Sequence, residues 1–274
     1  MKPDEVEFVA DVARAGAGLA VDKDKLYVIE SRLAPVARRE GFGSIREMLL
    51  TARQRREGKL MWAVVEAMAA GETCFFRDRA VFERFGNEML PALAHARPGE
   101  PIRIWSAGCA TGQEAYSLAF QVEGARGGLP VPEVDILGSD LSDRLLEKAR
   151  SGLFTQFEVQ RGLPVRLLVE HFDKHDDLWA LSPRIQAKVR WKRVNLNTDF
   201  GPIGRFDVIF CRNVLWAMEP EARARVLAQL DSVLEPGGYL VLGANEAPTE
   251  RADAFRIVGP GIYQPDPEFR AAAA

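Results

Sequence analysis

Cysteine and histidine are scarce in this chain. Three cysteines (Cys74, Cys109 and Cys211) and three histidines (His95, His171 and His175) occur in 274 residues. An odd number of cysteines without CxxC spacing excludes a disulfide framework, and too few histidines stand beside them for a zinc site, so no metal is expected. Packed, reduced thiols are the plain reading. A cysteine nucleophile would need a base, and the histidines fall in polar or linker-like stretches. A charge excess is also missing: 36 Lys and Arg stand against 39 Asp and Glu, a net −3, so the whole molecule has no pull toward nucleic acid. No run approaches the roughly 20 apolar residues that span a bilayer. Met1-Lys-Pro-Asp-Glu5 has no apolar signal region, so the expectation is a cytosolic protein without membrane insertion.

What is present describes an ordinary globular protein of two units, with 47% hydrophobic and 27% charged residues. Residues 4–92 read as helices. Phe8, Val9 and Val12 recur at helical spacing, as do Leu26, Ile29 and Leu33, and Leu60, Val64 and Met68. Ser44-Ile-Arg-Glu47 has the form of a capping box, and a helix with Val81, Phe82 and Phe85 is expected to stop before Pro91. The Pro/Gly-rich stretch from His95 to Pro101 opens a second unit. There, short apolar strands (Ile102 to Ser106, Val134 to Gly138, Phe206 to Phe210, Gly238 to Leu242) alternate with helices, one of them opened by Pro220. This alternation predicts an α/β unit with a mainly parallel sheet over 93–274, preceded by a small all-α domain and linker helix over 1–92.

Five segments carry chemistry. Gly108 and Gly112 lie at a strand-to-helix turn, where open α/β sheets take ligands at their carboxyl edge. The spacing lacks the full GxGxxG, so a tight turn is the competing reading. Asp140 ends the next strand, placed to accept hydrogen bonds from both ribose hydroxyls of an adenosine, or merely to assist the helix cap at Ser142. Val194-Asn-Leu-Asn197 and Cys211-Arg-Asn-Val214 each follow a strand with an asparagine, whose amide suits an adenine edge or a charged amino-acid end. Last, Gly71-Glu-Thr-Cys-Phe-Phe-Arg-Asp78 places Arg77 behind paired phenylalanines at the domain junction. There it is a candidate for holding a carboxylate or, alternatively, a solvated charge.

Taken together, these segments resemble the chemotaxis-receptor glutamate O-methyltransferases, the CheR family, along nearly the whole chain. The resemblance is carried by 73–78, by 105–119 (Trp-Ser-Ala-Gly-Cys-Ala-Thr-Gly-Gln-Glu-Ala-Tyr-Ser-Leu-Ala), by 158–164, by 194–196, by 206–215 and by 234–238, in that order. It implies a Rossmann-like methyltransferase domain that uses S-adenosylmethionine (SAM), yields S-adenosylhomocysteine (SAH) and needs no metal. It further implies an N-terminal helical domain that contacts the receptor. By the same resemblance Thr73 and Arg77 border the reacting groups and the cofactor, Gly108, Glu114 and Asp140 hold the cofactor, and Asn195, Leu196, Asn213 and Val214 meet its adenine and methionine ends. Some family members insert a β-subdomain that docks a receptor C-terminal peptide. Residues 156–188 resemble the shorter version, which implies no such tether.

The chain departs from the family pattern at Gly71, where an Asn is usual, at Gln113, where a Glu is usual, and at Ala217, where a tyrosine stands at the methyl-transfer site. Ala217 implies intact cofactor binding with reduced turnover. A module that binds SAM or SAH without turnover is therefore carried as the alternative, and a nicotinamide oxidoreductase as a second, disfavoured by the incomplete glycine pattern. A glutamate acceptor is ionised at neutral pH and needs no general base. Over 32–59, Arg38, Arg39, Arg46, Arg53, Arg55 and Arg56 outnumber Glu40, Glu47 and Glu57, a basic face suited to the acidic helices of a chemoreceptor's cytoplasmic domain. A monomer is expected.

Overall fold

The computed structural model describes all residues except 56, 70, 126–132, 202 and 274. Its first unit is four helices: α1 (Pro3–Ala17), α2 (Leu26–Arg39), α3 (Ile45–Arg55) and α4 (Gly58–Ala69). Each turns an apolar stripe inward, so that Val9, Leu33, Met48 and Val64 are completely buried in one cluster. Helix α1 starts with Pro3 in its first turn, and the Glu5 carboxylate accepts the Lys2 N–H at 2.7 Å. It ends at Gly18, whose φ of +67° lets its N–H return to the Arg14 carbonyl at 2.8 Å. Before α3, the Ser44 hydroxyl accepts the Glu47 N–H at 3.1 Å, and the Glu47 carboxylate reaches back to the Gly43 N–H at 3.0 Å. The box expected there therefore closes one residue further upstream.

The chain then enters α5 (Arg79–Arg84), a π-helical turn (Phe85–Met89) and α6 (Leu90–Ala96). Pro91 was expected to end the helix. Instead it sits in the first turn of α6, because the wider π turn before it absorbs the missing N–H donor. Side chains from Phe75 to Leu93, allotted by the sequence to the N-terminal unit, pack into the core of the sheet, where Phe82 and Phe85 both meet the ring of Phe210 at 5.8 Å.

Among the described residues ten strands follow: β1 (Ile102–Ala107), β2 (Val134–Asp140), β3 (Leu153–Thr155), β4 (Phe172–His175), β5 (Leu178–Leu181), β6 (Val189–Arg193), β7 (Phe206–Cys211), β8 (Leu234–Leu242), β9 (Phe255–Gly259) and β10 (Ile262–Pro265). Seven of them form one sheet in the order β6-β2-β1-β7-β8-β10-β9, parallel except that β10 runs against both its neighbours. Helices α7 (Gln113–Ala125), α8 (Asp143–Ser151), α9 (Gln156–Gln160), α10 (Val165–His171), α11 (Pro183–Gln186), α12 (Pro220–Val233) and α13 (Pro267–Ala273) complete the fold. The strand β7 explains why the central run is wholly apolar but for Asp207. Val208 and Phe210 enter the core on one face of the sheet, and Ile209 and Cys211 that on the other.

Two sequence readings need correction here. Within 153–181, β4 and β5 join β3 in a three-stranded antiparallel sheet, a small β-subdomain that the reading of 156–188 did not foresee. Its strands are short and mixed in polarity, which hid the alternation. Of the histidines read as lying in polar stretches, His171 is buried, its ring 5.3 Å from that of Phe120, and burial lowers its pKa. Among the described residues, no helix is long and apolar enough to cross a membrane.

Candidate cofactor and methyl-transfer site

In chain order, β1, β2 and β6 build the sheet outward on one side, and β7 and β8 then build it on the other. The loops after β1 and β7 therefore part at the carboxyl edge and leave a crevice, as the doubly wound topology requires. A cavity of about 1140 Å³, counting the solvent at its mouth, opens there, and the end of α1 and parts of α2 and α4 close it from the other side. Thr73, Arg77, Gly108, Glu114, Asp140, Asn195, Leu196, Asn213, Val214 and Ala217 all line it.

Gly108 takes φ +75°, and a Cβ there would lie 2.6 Å from Cγ2 of Val214, so this turn admits neither a side chain nor an ordinary backbone. Gly112 serves a different purpose. Its missing side chain lets α8 and the Trp191 ring approach, each 2.9 Å from where a Cβ would stand, and it does not line the cavity. Asp140 is buried. Its Oδ2 accepts the Ala110 N–H and its Oδ1 the Ser142 N–H, both at 3.0 Å, while the Ser142 hydroxyl caps α8. Asp140 thus organises the cap, as one of its two readings expected, and also faces the cavity. Burial raises its carboxyl pKa above the ordinary range, and the amide hydrogen bonds oppose that rise.

Glu114 is treated similarly. Burial raises its pKa while Arg212 beside it pulls the other way, and its carboxylate accepts from the Ser106 hydroxyl at 2.8 Å and from Arg212 Nη1 at 3.1 Å. Asn195 divides its amide between the domains, donating to the Gly16 carbonyl at 2.7 Å and accepting from the Asn197 N–H at 3.1 Å. The side-chain amide of Asn213 and the hydroxyl of Thr73 make no hydrogen bond among the described residues, so both remain available to a ligand. Arg77 donates to the Glu72 carbonyl at 3.0 Å and has no carboxylate partner among the described residues.

Two residues were missed. Arg212 is buried beneath the cavity, bonded to Asp78 at 2.6 Å and to the Arg77 carbonyl at 2.8 Å, yet its Nε has no partner. Glu246, also buried, accepts main-chain N–H groups from Asn213 at 2.7 Å, Gly243 at 2.8 Å and Trp216 at 3.1 Å. Arg212 stands in the quoted Cys211-Arg-Asn-Val214 run, where only the asparagine was given a role, whereas no local signal marks Glu246. The three cysteines are free, and burial raises the thiol pKa of Cys109 and Cys211 well above normal, which removes them as nucleophiles.

An adenosine-bearing amino acid fits what this crevice offers: a side-chain-free turn at Gly108, a buried acceptor at Asp140, and an orphaned buried donor at Arg212 beside the Glu114 carboxylate. Fold and site together define a Rossmann-like, SAM-dependent methyltransferase. The family model described as "CheR methyltransferase, SAM binding domain" matches residues 71–263, and the chain belongs to that family. It is similar to chemotaxis protein methyltransferase Cher2 of Pseudomonas putida, 34% identical over 254 residues that cover 90% of this chain and 92% of the relative. Chemotaxis protein methyltransferase 1 of Pseudomonas aeruginosa is 36% identical over 251 residues, covering 89% and 91%. The protein of the same description from Vibrio cholerae is 36% identical over 251 residues, covering 89% and 90%.

The turn supports a direct check. Gly108→Ala must hold an L-residue at φ +75° against Val214, which costs about 1–3 kcal/mol. Calorimetric titration with SAH is expected to show about tenfold weaker binding, about 1.4 kcal/mol. Unchanged affinity would mean that the cofactor does not use this turn.

Proposed function

We propose that the enzyme transfers the methyl group of SAM to glutamate side chains on the cytoplasmic helices of chemoreceptors, forming methyl esters that tune chemotactic adaptation. Bound SAM would supply an electrophilic methyl on a sulfonium, a leaving group that needs no protonation. The chain's own residues then have limited work to do. Asp140 accepts the ribose hydroxyls, Glu114 and Arg212 receive the charged amino-acid end, and Asn195, Leu196, Asn213 and Val214 border the adenine and methionine ends. Arg77 orients the acceptor carboxylate, with Thr73 beside it. No base is required, because a glutamate is already ionised at neutral pH, and rate comes from orienting the oxygen and excluding water.

The observation that carries this reading is Arg77: a guanidinium on the cavity wall, bonded to the Glu72 carbonyl, following the buried Phe75 and Phe76 in the chain, and without a carboxylate partner among the described residues. The basic face offers secondary support. Arg39 and Lys59 are paired with Glu40, Arg46 with Glu5, and Arg53 lies over Phe8, but Arg38 and Arg55 have no partner among the described residues. Arg56 lies outside the described residues. The test is transfer of labelled methyl from SAM to a receptor cytoplasmic fragment, released by base as methanol. No label above background with any receptor would favour the reading in which the protein holds SAM or SAH without turnover.

Ala217 is what gives that second reading its weight. It lines the cavity with only a methyl group, and its carbonyl accepts the Ala20 N–H at 2.8 Å. Ala217→Tyr is expected to raise kcat about tenfold, about 1.4 kcal/mol of barrier, with little change in SAM affinity. An unchanged kcat would assign the family tyrosine's task to another residue.

A further inference from the structure

Five tryptophans occur in the chain, and Trp216 is the one left in water, 64% exposed at the rim of the cavity. It is not loose. Its indole Nε1–H donates to the Asn213 carbonyl at 3.1 Å, and its main-chain N–H donates to Oε1 of Glu246 at 3.1 Å. Oε2 of the same buried carboxylate holds the N–H groups of Asn213 and Gly243. One carboxylate therefore fixes both the asparagine facing the cofactor side and the tryptophan at the mouth. Because the indole N–H is already used, what the ring offers outward is rigid apolar surface, which loses little conformational entropy when covered. Beside it Ala217 presents only a methyl group and leaves room for an incoming side chain.

We propose that Trp216 is the acceptor-contacting, specificity-determining wall of the site, and that Glu246 is its positioning residue. The occupant is the helical segment that carries the acceptor glutamate. Arg77 takes the carboxylate, and the indole packs on an apolar residue flanking that glutamate. The proposal rests on the glutamate-methylation reading above. It adds a preference: acceptors with an apolar neighbour at that contact are methylated ahead of those with a charged one.

The experiment compares Trp216→Ala, Trp216→Phe and Glu246→Gln with the unaltered enzyme on a chemoreceptor cytoplasmic fragment, with SAH affinity measured separately by calorimetry. W216A is expected to raise the acceptor KM about tenfold, the loss typical of a truncated aromatic anchor, and to leave the SAH Kd within about twofold. W216F is expected to restore most of the KM. E246Q is expected to raise both constants, because it also releases Asn213. An acceptor KM unchanged in W216A, or an SAH Kd that rises by the same factor, overturns the proposal. If the unaltered enzyme methylates no fragment, the methylation reading fails by itself. The Trp216 contact is then judged on binding to the SAH complex, from the fluorescence change of the unaltered protein minus that of W216F. A difference supports the contact, and no difference overturns it.

Discussion

Asp140→Asn is expected to raise the SAH dissociation constant about a hundredfold, about 2.7 kcal/mol. An amide keeps one acceptor oxygen and turns an NH2 group toward the other partner, so either the Ala110 or the Ser142 N–H loses its acceptor while the ribose loses a charged one. Calorimetry across pH separates this from general damage. Burial raises the Asp140 carboxyl pKa, so in the unaltered protein SAH affinity should fall as pH drops through a midpoint above the ordinary aspartate value of about 3.9. The ligand-free fold should respond in the opposite sense. The folded state holds the proton more tightly than the unfolded one, so Asp140's contribution to stability is present at low pH and is lost as pH rises through the raised pKa. The D140N variant should lack Asp140's part of both dependences. A variant that binds SAH as tightly as the unaltered protein would remove Asp140 from the cofactor site.

Arg212→Met should give the largest loss of stability, about 3–5 kcal/mol by chemical denaturation at neutral pH. The guanidinium side chain is 2% exposed between Asp78 and Glu114, with the Phe82 ring 5.5 Å below it. Methionine fills much of the volume but leaves Glu114 buried with the Ser106 hydroxyl as its remaining partner. The linkage sign follows directly. Arg212 opposes the rise in the Glu114 pKa, so removing it raises that pKa further, and the deficit should shrink as pH falls and Glu114 becomes neutral. Adding Glu114→Gln should recover part of the loss at neutral pH, a coupling expected of groups in direct contact. Strictly additive losses would show that the pair does not act as a unit.

The features legible beforehand share a cause. Gly108, Asp140, Asn195 and Asn213 stand at or just after strand ends, and a doubly wound sheet brings such positions to one edge, so order along the chain was enough to predict their meeting. Thr73 and Arg77 were legible through the buried Phe75 and Phe76 between them. Arg212 was not. Its partner Glu114 lies 98 positions away, and nothing near either residue says that the other neutralises it. Glu246 is a similar case, with its partners Asn213 and Trp216 across the sheet edge, 33 and 30 positions away. Pro91 misled because a local rule for ending helices was overridden by a π turn packed against the sheet. The small sheet within 153–181 escaped because its strands are only three or four residues long.

By itself the sequence determined the α/β class, the family and several of the side chains that meet at the carboxyl edge, because hydrophobic period and turn chemistry are local properties written in consecutive residues. Only the tertiary structure decided which of those side chains are spent and which are free. Asn195 is partly committed to Gly16, and Asp140 serves the cap and the cavity at once. Among the described residues the side-chain amide of Asn213, the hydroxyl of Thr73 and the Nε of Arg212 have no partner, and the main chain of Trp216 is held by Glu246. The physical reason is that a hydrogen bond or ion pair is used up by whichever group arrives in three dimensions, and burial then sets its strength and the charge it carries.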